Sequence, residues 1–532
     1  MIGSRTDLEG HRPRNDRWAW LLRPRRSFDR TDIWLLGGIS TLAFVVRIFP
    51  VLVAGGLLGL QGYDDGVYFG AASALVHGRI PYRDFLLLHP PGIVLSLTPF
   101  AALGAIVGDP TAFAAARVAF IGLGALNATL VALVAGRYVR LAGLIGGALY
   151  AVWNTSANAE RTADLLALEN ALLLLGLLAI AGRGRITPMW AALAGIALGL
   201  AITVHLWQGA SAAILFWWVL VRARGNGWDR ARPGLAFIAA ASITLGLVCL
   251  PFLLAAPERM VGYVLLDQVG RPSTGVGLTD RLLELAGLAR VTTVPAVVRP
   301  LFSSGALSVA AVGGLVVVLA TAWRRAWTRP WAAMAIAQVF IVLVTPSFFH
   351  DYPAFAAPAT TLVLGTAAAA AMGILMRRGA WPTLASAFIV VALVALAGSS
   401  MVRRQGDRLS LAAIEQDISQ ARCVSSDTPA LMVLTSALKR DLEAGCAVVL
   451  DPTGTSYDTD RGRLTAGSVT ASRQGAPGYQ HAMLDWYTSG DAALFARTSA
   501  NGLTPATDAA IRQRLPLLLQ RGIVSIRLAR AR

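Results

Sequence analysis

Apolar and polar positions alternate along this chain on the scale of membrane spans rather than of single helix faces. Long apolar runs occupy residues 33–60, 112–135, 141–153, 163–181, 188–205, 207–221, 234–256, 301–322, 331–348, 354–376 and 382–400. A hydrocarbon core of about 30 Å takes roughly 20 helical residues, so these eleven runs predict eleven transmembrane helices. The two shortest, 141–153 and 207–221, read as tilted, mis-bounded or only partly inserted spans.

A twelfth apolar stretch, residues 91–107, has two readings that sidedness separates, because cytoplasmic loops accumulate arginine and lysine. Residues 1–32 hold eight arginines and are assigned to the cytoplasm. If 91–107 does not cross, Arg137/Arg140, Arg183/Arg185, Arg222/Arg224/Arg230/Arg232, Arg324/Arg325/Arg329 and Arg377/Arg378 all fall inside as well. If it crosses, all five clusters fall outside. The stretch therefore reads as a re-entrant or surface-lying helix opened by Pro90-Pro91, since proline suits a first helical turn. Residues 61–111 become one external loop, and residues 154–162, 257–300 and 349–353 and the tail join it outside. The five arginines in 257–300 pull against this parity, but long loops escape the charge rule more easily than short ones.

Composition agrees. Of 532 residues, 55% are hydrophobic and 14% charged, against about 25% charged in an ordinary soluble domain. The net charge of +17 would suggest nucleic acid in a soluble chain. Here the cations sit in short clusters between apolar runs, so nucleic acid is excluded as a partner and membrane lipid is expected. The tail 401–532 is more polar. Its short apolar runs at Ala430–Leu434 and Ala447–Leu450, bounded by turn residues, predict strands of a small mixed α/β domain. Cys249 lies inside a span. Cys423 and Cys446, 23 positions apart, could form a disulfide in an oxidising compartment or stay as two buried thiols.

With this topology the ionisable residues near the membrane gather on one side. They are Asp64 and Asp65 after the first span, His89 before the prolines, Glu160 and Arg161 beside Asn158, His205 and Gln208 at another outer turn, Asp267 and Arg271, and His350, Asp351 and Tyr352. Desolvation makes such groups costly, so they are functional candidates. Adjacent carboxylates can take a proton from a hydroxyl or hold a divalent cation; they can equally cap the helix that begins near Val67. Arg161, Arg271 and His350 can bind phosphate, or anchor the chain at the interface. His205 reads as a packing residue. GxxxxGK[ST], HExxH, CxxC and GxSxG are absent, which removes the usual routes to nucleotide hydrolysis, zinc proteolysis and serine esterase chemistry. Gly195 and Gly199 have the spacing of helix-packing positions.

A basic start, one span and then GYDDGVYFGAASALVHGRIPYRDFLLLHPPG resembles the first external loop of the GT-C superfamily of membrane glycosyltransferases. That superfamily includes protein O-mannosyltransferases, the aminoarabinose transferase acting on lipid A, and bacterial cell-wall arabinosyl- and mannosyltransferases. Arg117 is similar to an arginine found early in the second span of such enzymes, and Phe348–Pro353 resembles a late external motif. The tail segments RCVSSDTPALMVL and GCAVVLDPTGTSYD are similar to the C-terminal domain of a bacterial branch. His89 stands where several relatives have lysine.

The resemblance implies an α-helical polytopic membrane protein with an extracytoplasmic tail domain. It implies a polyprenyl-phosphate sugar as donor and a hydroxyl on an extracytoplasmic glycan, lipid or protein as acceptor, joined with inversion. Asp64 is the expected base and Asp65 its helper, the pair being compatible with a divalent cation. Arg161, His350, Arg271 and His89 are the expected phosphate contacts; Tyr63, Glu160, Asp351 and Tyr352 are expected to touch the substrates. A transporter or lipid flippase is the alternative. A carrier should show repeated halves, and none is evident here.

Overall fold

A computed structural model of the chain describes residues 20–24, 29–223, 225–288, 304–377, 382–402, 405–462, 464, 468–497 and 501–529. Most of the basic N-terminal segment, and the end of the 257–300 loop, lie outside the described residues.

A helix occupies each of the eleven apolar runs. They are α1 (Arg30–Val53), α4 (Asp109–Gly136), α5 (Arg140–Val152), α7 (Leu165–Ile180), α8 (Pro188–Val204), α9 (Gln208–Arg222), α10 (Trp228–Ala255), α14 (Ser304–Trp323), α15 (Arg329–Val344), α16 (Ala357–Arg377) and α17 (Pro382–Val402). Five helical stretches among the described residues, Arg30–Val53, Asp109–Gly136, Trp228–Ala255, Ala326–Val344 and Tyr352–Met376, are long and apolar enough to cross a membrane. α10 shows why such a surface needs lipid: Leu235, Ile243, Leu247, Leu250 and Leu254 all point outward. Its inner side meets α8 at small residues. A Cβ on Gly195 would stand 2.3 Å from the Phe237 carbonyl oxygen, so only glycine lets the two backbones approach.

Charge inside the bundle is paired. Arg47 on α1 and Glu160 are both fully buried and bond at 2.6 Å; Glu160 also accepts from Tyr150 (2.6 Å) and Asn127 (2.8 Å). Sharing the carboxylate among several donors compensates the desolvation that burying a lone ion would cost. At the opposite end of α1, Asp29 caps the helix by accepting from the Asp32 amide, and Arg140 at the start of α5 pairs with Asp32 at 3.0 Å.

Between α1 and α4 lie α2 (Asp64–Val76), where the sequence predicts a helix beginning near Val67, and α3 (Gly92–Val107), the stretch read as surface-lying. α3, with 16 residues, is shorter than an upright crossing requires. It packs on α2, α4 and α8. The short helix α6 (Asn154–Ala159) sits between α5 and α7. After α10 the chain forms α11 (Pro257–Val261), a wide π turn over Gly262–Leu266, α12 (Asp267–Val269) and α13 (Leu278–Leu285).

The tail runs through α18 (Leu411–Asp417), β1 (Val424–Ser426), α19 (Pro429–Leu434), α20 (Ala437–Ala444), α21 (Thr455–Thr459), α22 (Val469–Gln474), α23 (Pro477–Ser489), β2 (Ala492–Phe495), α24 (Pro505–Arg514), β3 (Leu517–Arg521) and β4 (Val524–Leu528). Its sheet has the order β1-β2-β4-β3, with β1 parallel to β2 and the other pairs antiparallel. The two runs expected to be strands are not in it. Ala430–Leu434 lies within helix α19, buried along its whole length, because Pro429 opens a helical turn and a short apolar run carries no period that separates helix from strand. Ala447–Leu450 is irregular chain. Cys423 and Cys446 are joined by a disulfide.

α19 docks directly on α2. A Cβ on Gly66 would meet the Ala430 nitrogen at 2.3 Å, and Val67, Phe69, Leu431, Leu434 and Leu438 share one core. On the far side of the loop, Leu60 and Asp407 exchange both backbone hydrogen bonds at 2.9 Å, so the chain leaving α17 returns to the exit of α1.

Candidate active site

The face that joins the helix ends to the tail encloses a cavity of about 640 Å³. Asp64, His89, Asp164, Arg271, Asp351 and Tyr352 line it from the helical side, and Asp451, Tyr457, Arg473 and Arg497 from the tail. Most are contributed by loops and element ends, where a packed scaffold holds side chains that need not themselves be core.

The two acids at the start of α2 separate at once. Consecutive helical residues diverge by about 100°, so they cannot share a face. Asp65 turns inward and is 1% exposed; its Oδ2 accepts from Arg117 Nε (2.9 Å) and Nη2 (2.7 Å). Arg117, itself fully buried on α4, also donates to the carbonyls of Leu57 (2.6 Å) and Gly59 (2.9 Å), tying the exit of α1 to α2. Asp64 turns outward to the cavity and accepts no hydrogen bond among the described residues. It is open to the cavity, yet desolvation by the cavity walls, with the charges of Asp451 and Asp351, pushes its carboxyl up to about 7 against the pull of Arg271 and Arg497. Asp164 caps α7 by accepting from the Leu165 amide and lines the cavity beside Asp64.

Arg271 is the cation of the helical side. Its Nη1 donates to the Tyr352 hydroxyl at 2.9 Å, its guanidinium lies 5.8 Å from the Tyr457 ring centre, and its Nε is buried without a hydrogen-bond partner among the described residues. An orphaned guanidinium nitrogen at a cavity wall is a place for an anion. Arg497 follows β2; Asp427 accepts its backbone N–H at 2.8 Å, and its guanidinium lies 5.0 Å from the Tyr63 ring centre. Tyr63 donates to Asp451 Oδ1 at 2.9 Å and accepts from the Thr453 amide at 3.0 Å.

His89 stands on the cavity wall between Tyr68 and His205, edge-on to both. Burial, with Arg271 and His205 nearby, pushes its imidazole well down, so at neutral pH it is an uncharged hydrogen-bonding group and not the cation that the sequence suggested. Tyr82 braces its loop with a hydroxyl bond to the His89 carbonyl at 2.7 Å, at the expense of a φ of +68°. His205 lines the same wall and bonds Glu169 on α7 at 2.9 Å.

Three candidates are placed elsewhere. Glu160 belongs to the buried Arg47 network. Arg161 is fully buried and donates from Nη2 to the carbonyls of Ser400 (2.7 Å) and Val46 (3.3 Å), holding α17 against α1. His350 bonds Glu284 at 2.8 Å, outside the cavity lining. Asp267 likewise serves docking, through a two-point pair with Arg461 at 2.9 and 3.0 Å. Among the described residues no group of three or more His, Cys, Asp or Glu could hold a metal ion. Asp65 gives only its Oδ2 to Arg117; its Oδ1 is buried with no hydrogen-bond partner among the described residues.

The residues that sequence reasoning missed are Asp164, Asp451, Tyr457, Arg473 and Arg497. Asp164 carried a local signal, an N-cap ahead of an apolar run, and Asp451 and Tyr457 lie in the family-like tail segment GCAVVLDPTGTSYD.

No family model and no curated protein sequence matches this chain. Solved structures do match its shape. The chain is similar to ArnT from Cupriavidus metallidurans bound to undecaprenyl phosphate, with 15% identity, a TM-score of 0.55, and 93% of this chain and 97% of that one covered. It is similar to the Archaeoglobus fulgidus oligosaccharyltransferase in complex with Zn and sulfate (13%, TM-score 0.54, 90% and 71% covered). It is also similar to the oligosaccharyltransferase AglB of the same archaeon in complex with an inhibitory peptide and a dolichol-phosphate (12%, 0.53, 87% and 69%). The chain shares its overall fold with these solved structures. At these identities the likeness is one of architecture, and the chemistry has to be argued from the cavity.

Proposed function

We propose that this protein is a membrane glycosyltransferase that moves a sugar from a polyprenyl-phosphate carrier to an acceptor hydroxyl. One observation carries the assignment: of the two acids that open α2, Asp65 is neutralised by Arg117, while Asp64 faces the cavity unbonded with its carboxyl raised to about 7. A base of that strength is suited to a hydroxyl at neutral pH. The GT-C fold and the undecaprenyl phosphate held by ArnT support a lipid-phosphate donor.

In this reading Asp64 takes the proton of the acceptor hydroxyl as its oxygen forms a bond to the anomeric carbon. The bond from that carbon to the phosphate oxygen breaks, and its electron pair departs with the lipid phosphate. Arg271, with its unused Nε, meets the growing charge in place of Arg161 and His350. Lipid phosphate is already a good leaving group, so no general acid is required, and a single displacement inverts the anomeric centre. Asp351 and Asp164 are placed to accept hydrogen bonds from sugar hydroxyls.

The proposed organisation has residues 1–32 in the cytoplasm, 33–400 as the membrane domain with α3 lying along the leaflet, and 401–532 outside. Acidic, basic and aromatic groups converge on one face, which favours an enzyme over a carrier with a midplane path.

Reconstituted protein given radiolabelled polyprenyl-phosphate sugars should transfer label to a wall-type acceptor, and Asp64→Asn should stop it with folding intact. Wild-type turnover in that variant would remove Asp64 as the base. For orientation, single cysteines replacing Arg79 and Arg230, in a chain lacking Cys249, should differ: an impermeant thiol reagent labels the first in intact cells and not the second. The reverse pattern would invert the arrangement.

A further inference from the structure

The tail does more than close the cavity. Tyr63, the residue next to Asp64, is held at its hydroxyl by two groups of one tail loop: it donates to Asp451 Oδ1 (2.9 Å) and accepts from the Thr453 amide (3.0 Å). Asp451 is in turn locked by the Gly454 amide (2.8 Å) and the Thr453 hydroxyl (3.1 Å), so it cannot swing away without breaking the turn that starts α21. Arg497, from a second tail segment, covers the Tyr63 ring. Gly66, two residues after Asp64, touches the α19 backbone. The first turn of α2 is thus gripped on both sides of the base by a domain nearly 400 positions away in the chain.

We propose that Asp451 is a positioning residue for the base, fixing Asp64 through Tyr63 and setting, by its own charge, the pH at which transfer switches on. The inference rests on Asp64 being the base. Its charge does not act alone. Asp64 is also faced by Asp351 from the turn before α16, Asp164 from the start of α7, Arg271 from the loop after α12, Arg497 from the loop after β2, and Tyr68 and Tyr352. Asp451 is bonded to Tyr63, the residue that precedes the base. A like charge makes ionisation harder, so Asp451 adds to the desolvation that raises the base, against the pull of Arg271 and Arg497.

The test is a pair of variants in the full-length reconstituted enzyme, assayed for transfer across pH. Asp451→Asn keeps an oxygen for the Tyr63 hydroxyl and removes the charge. The acid limb of its kcat/KM profile should move to lower pH by about one unit, because the base no longer feels that repulsion. Tyr63→Phe keeps the ring under Arg497 and cuts the link; kcat should fall about tenfold while donor KM changes less than about twofold, the pattern of lost positioning. A structural role alone would lower the yield of folded protein without moving the limb or separating kcat from KM. The inference is overturned if Asp64→Asn is inactive yet Asp451→Asn keeps the wild-type limb, or if Tyr63→Phe keeps the wild-type kcat. Should Asp451→Asn fail to fold, Tyr63→Phe decides alone. If Asp64→Asn itself is fully active, the base assignment falls first, and that result is distinct from the others.

Discussion

Asp64 and Asp65 differ by one peptide bond and by almost everything else. For Asp64 the raised carboxyl has a consequence for stability whose sign is opposite to the usual acid. An unfolded aspartate titrates near 3.8 and the folded one near 7, so the folded state holds the extra proton between those values. That contribution is complete in acid and disappears as pH climbs through 7. Asp64→Asn, which cannot ionise, should therefore melt increasingly above the wild type from pH 5 to pH 8 while being inactive at both. A constant difference in melting temperature would contradict the shift. Arg117→Met makes the reverse test at the neighbouring acid. It strands the Asp65 charge in the interior, and losing one partner of a buried pair costs about 3–5 kcal/mol, so chemical denaturation should find a large loss of stability even without substrate. The twin acids were legible in the sequence as a candidate pair. Their division of labour was not, because it depends on which of them Arg117, 52 positions away, can reach.

Elements form here for reasons that are mostly local, and they meet for reasons that are not. The eleven apolar runs could be read directly because helix length and hydropathy coincide over tens of residues. In the tail, where each element is only a few residues long, the same approach failed: Ala430–Leu434 is apolar enough for a strand, and only Pro429 hints at the helix it forms. The docking of that helix hangs on Gly66. Gly66→Ala places a methyl carbon against the Ala430 backbone, which has no freedom to retreat as a side chain would, so the α2–α19 contact has to open. Limited proteolysis should cut the tail faster in this variant, and transfer activity should fall well over tenfold although every polar residue of the cavity is intact; wild-type protease resistance would show that the contact can adjust. Asp451 lies in the family-like segment GCAVVLDPTGTSYD, but nothing there showed that it would face Asp64, and nothing near Arg497 distinguishes it from an ordinary surface base before the domains meet.

Across the whole molecule, the tail is stabilised by its own covalent link as well as by its attachment to the membrane helices. The Cys423–Cys446 bridge closes a loop of 23 positions, worth about 3 kcal/mol by chain entropy. Replacing both cysteines by serine should lower the melting temperature of the purified protein and reduce activity in parallel, since β1 and the loop to α20 lie within that closure; unchanged melting would show the link to be dispensable. The paired backbones of Leu60 and Asp407 have a different kind of consequence. They join the exit of α1 to the exit of α17, and the cavity wall is completed by residues made later still. On the proposed reading, a chain released before its tail is made holds Asp64 without Asp451, Tyr457, Arg473 and Arg497 beside it.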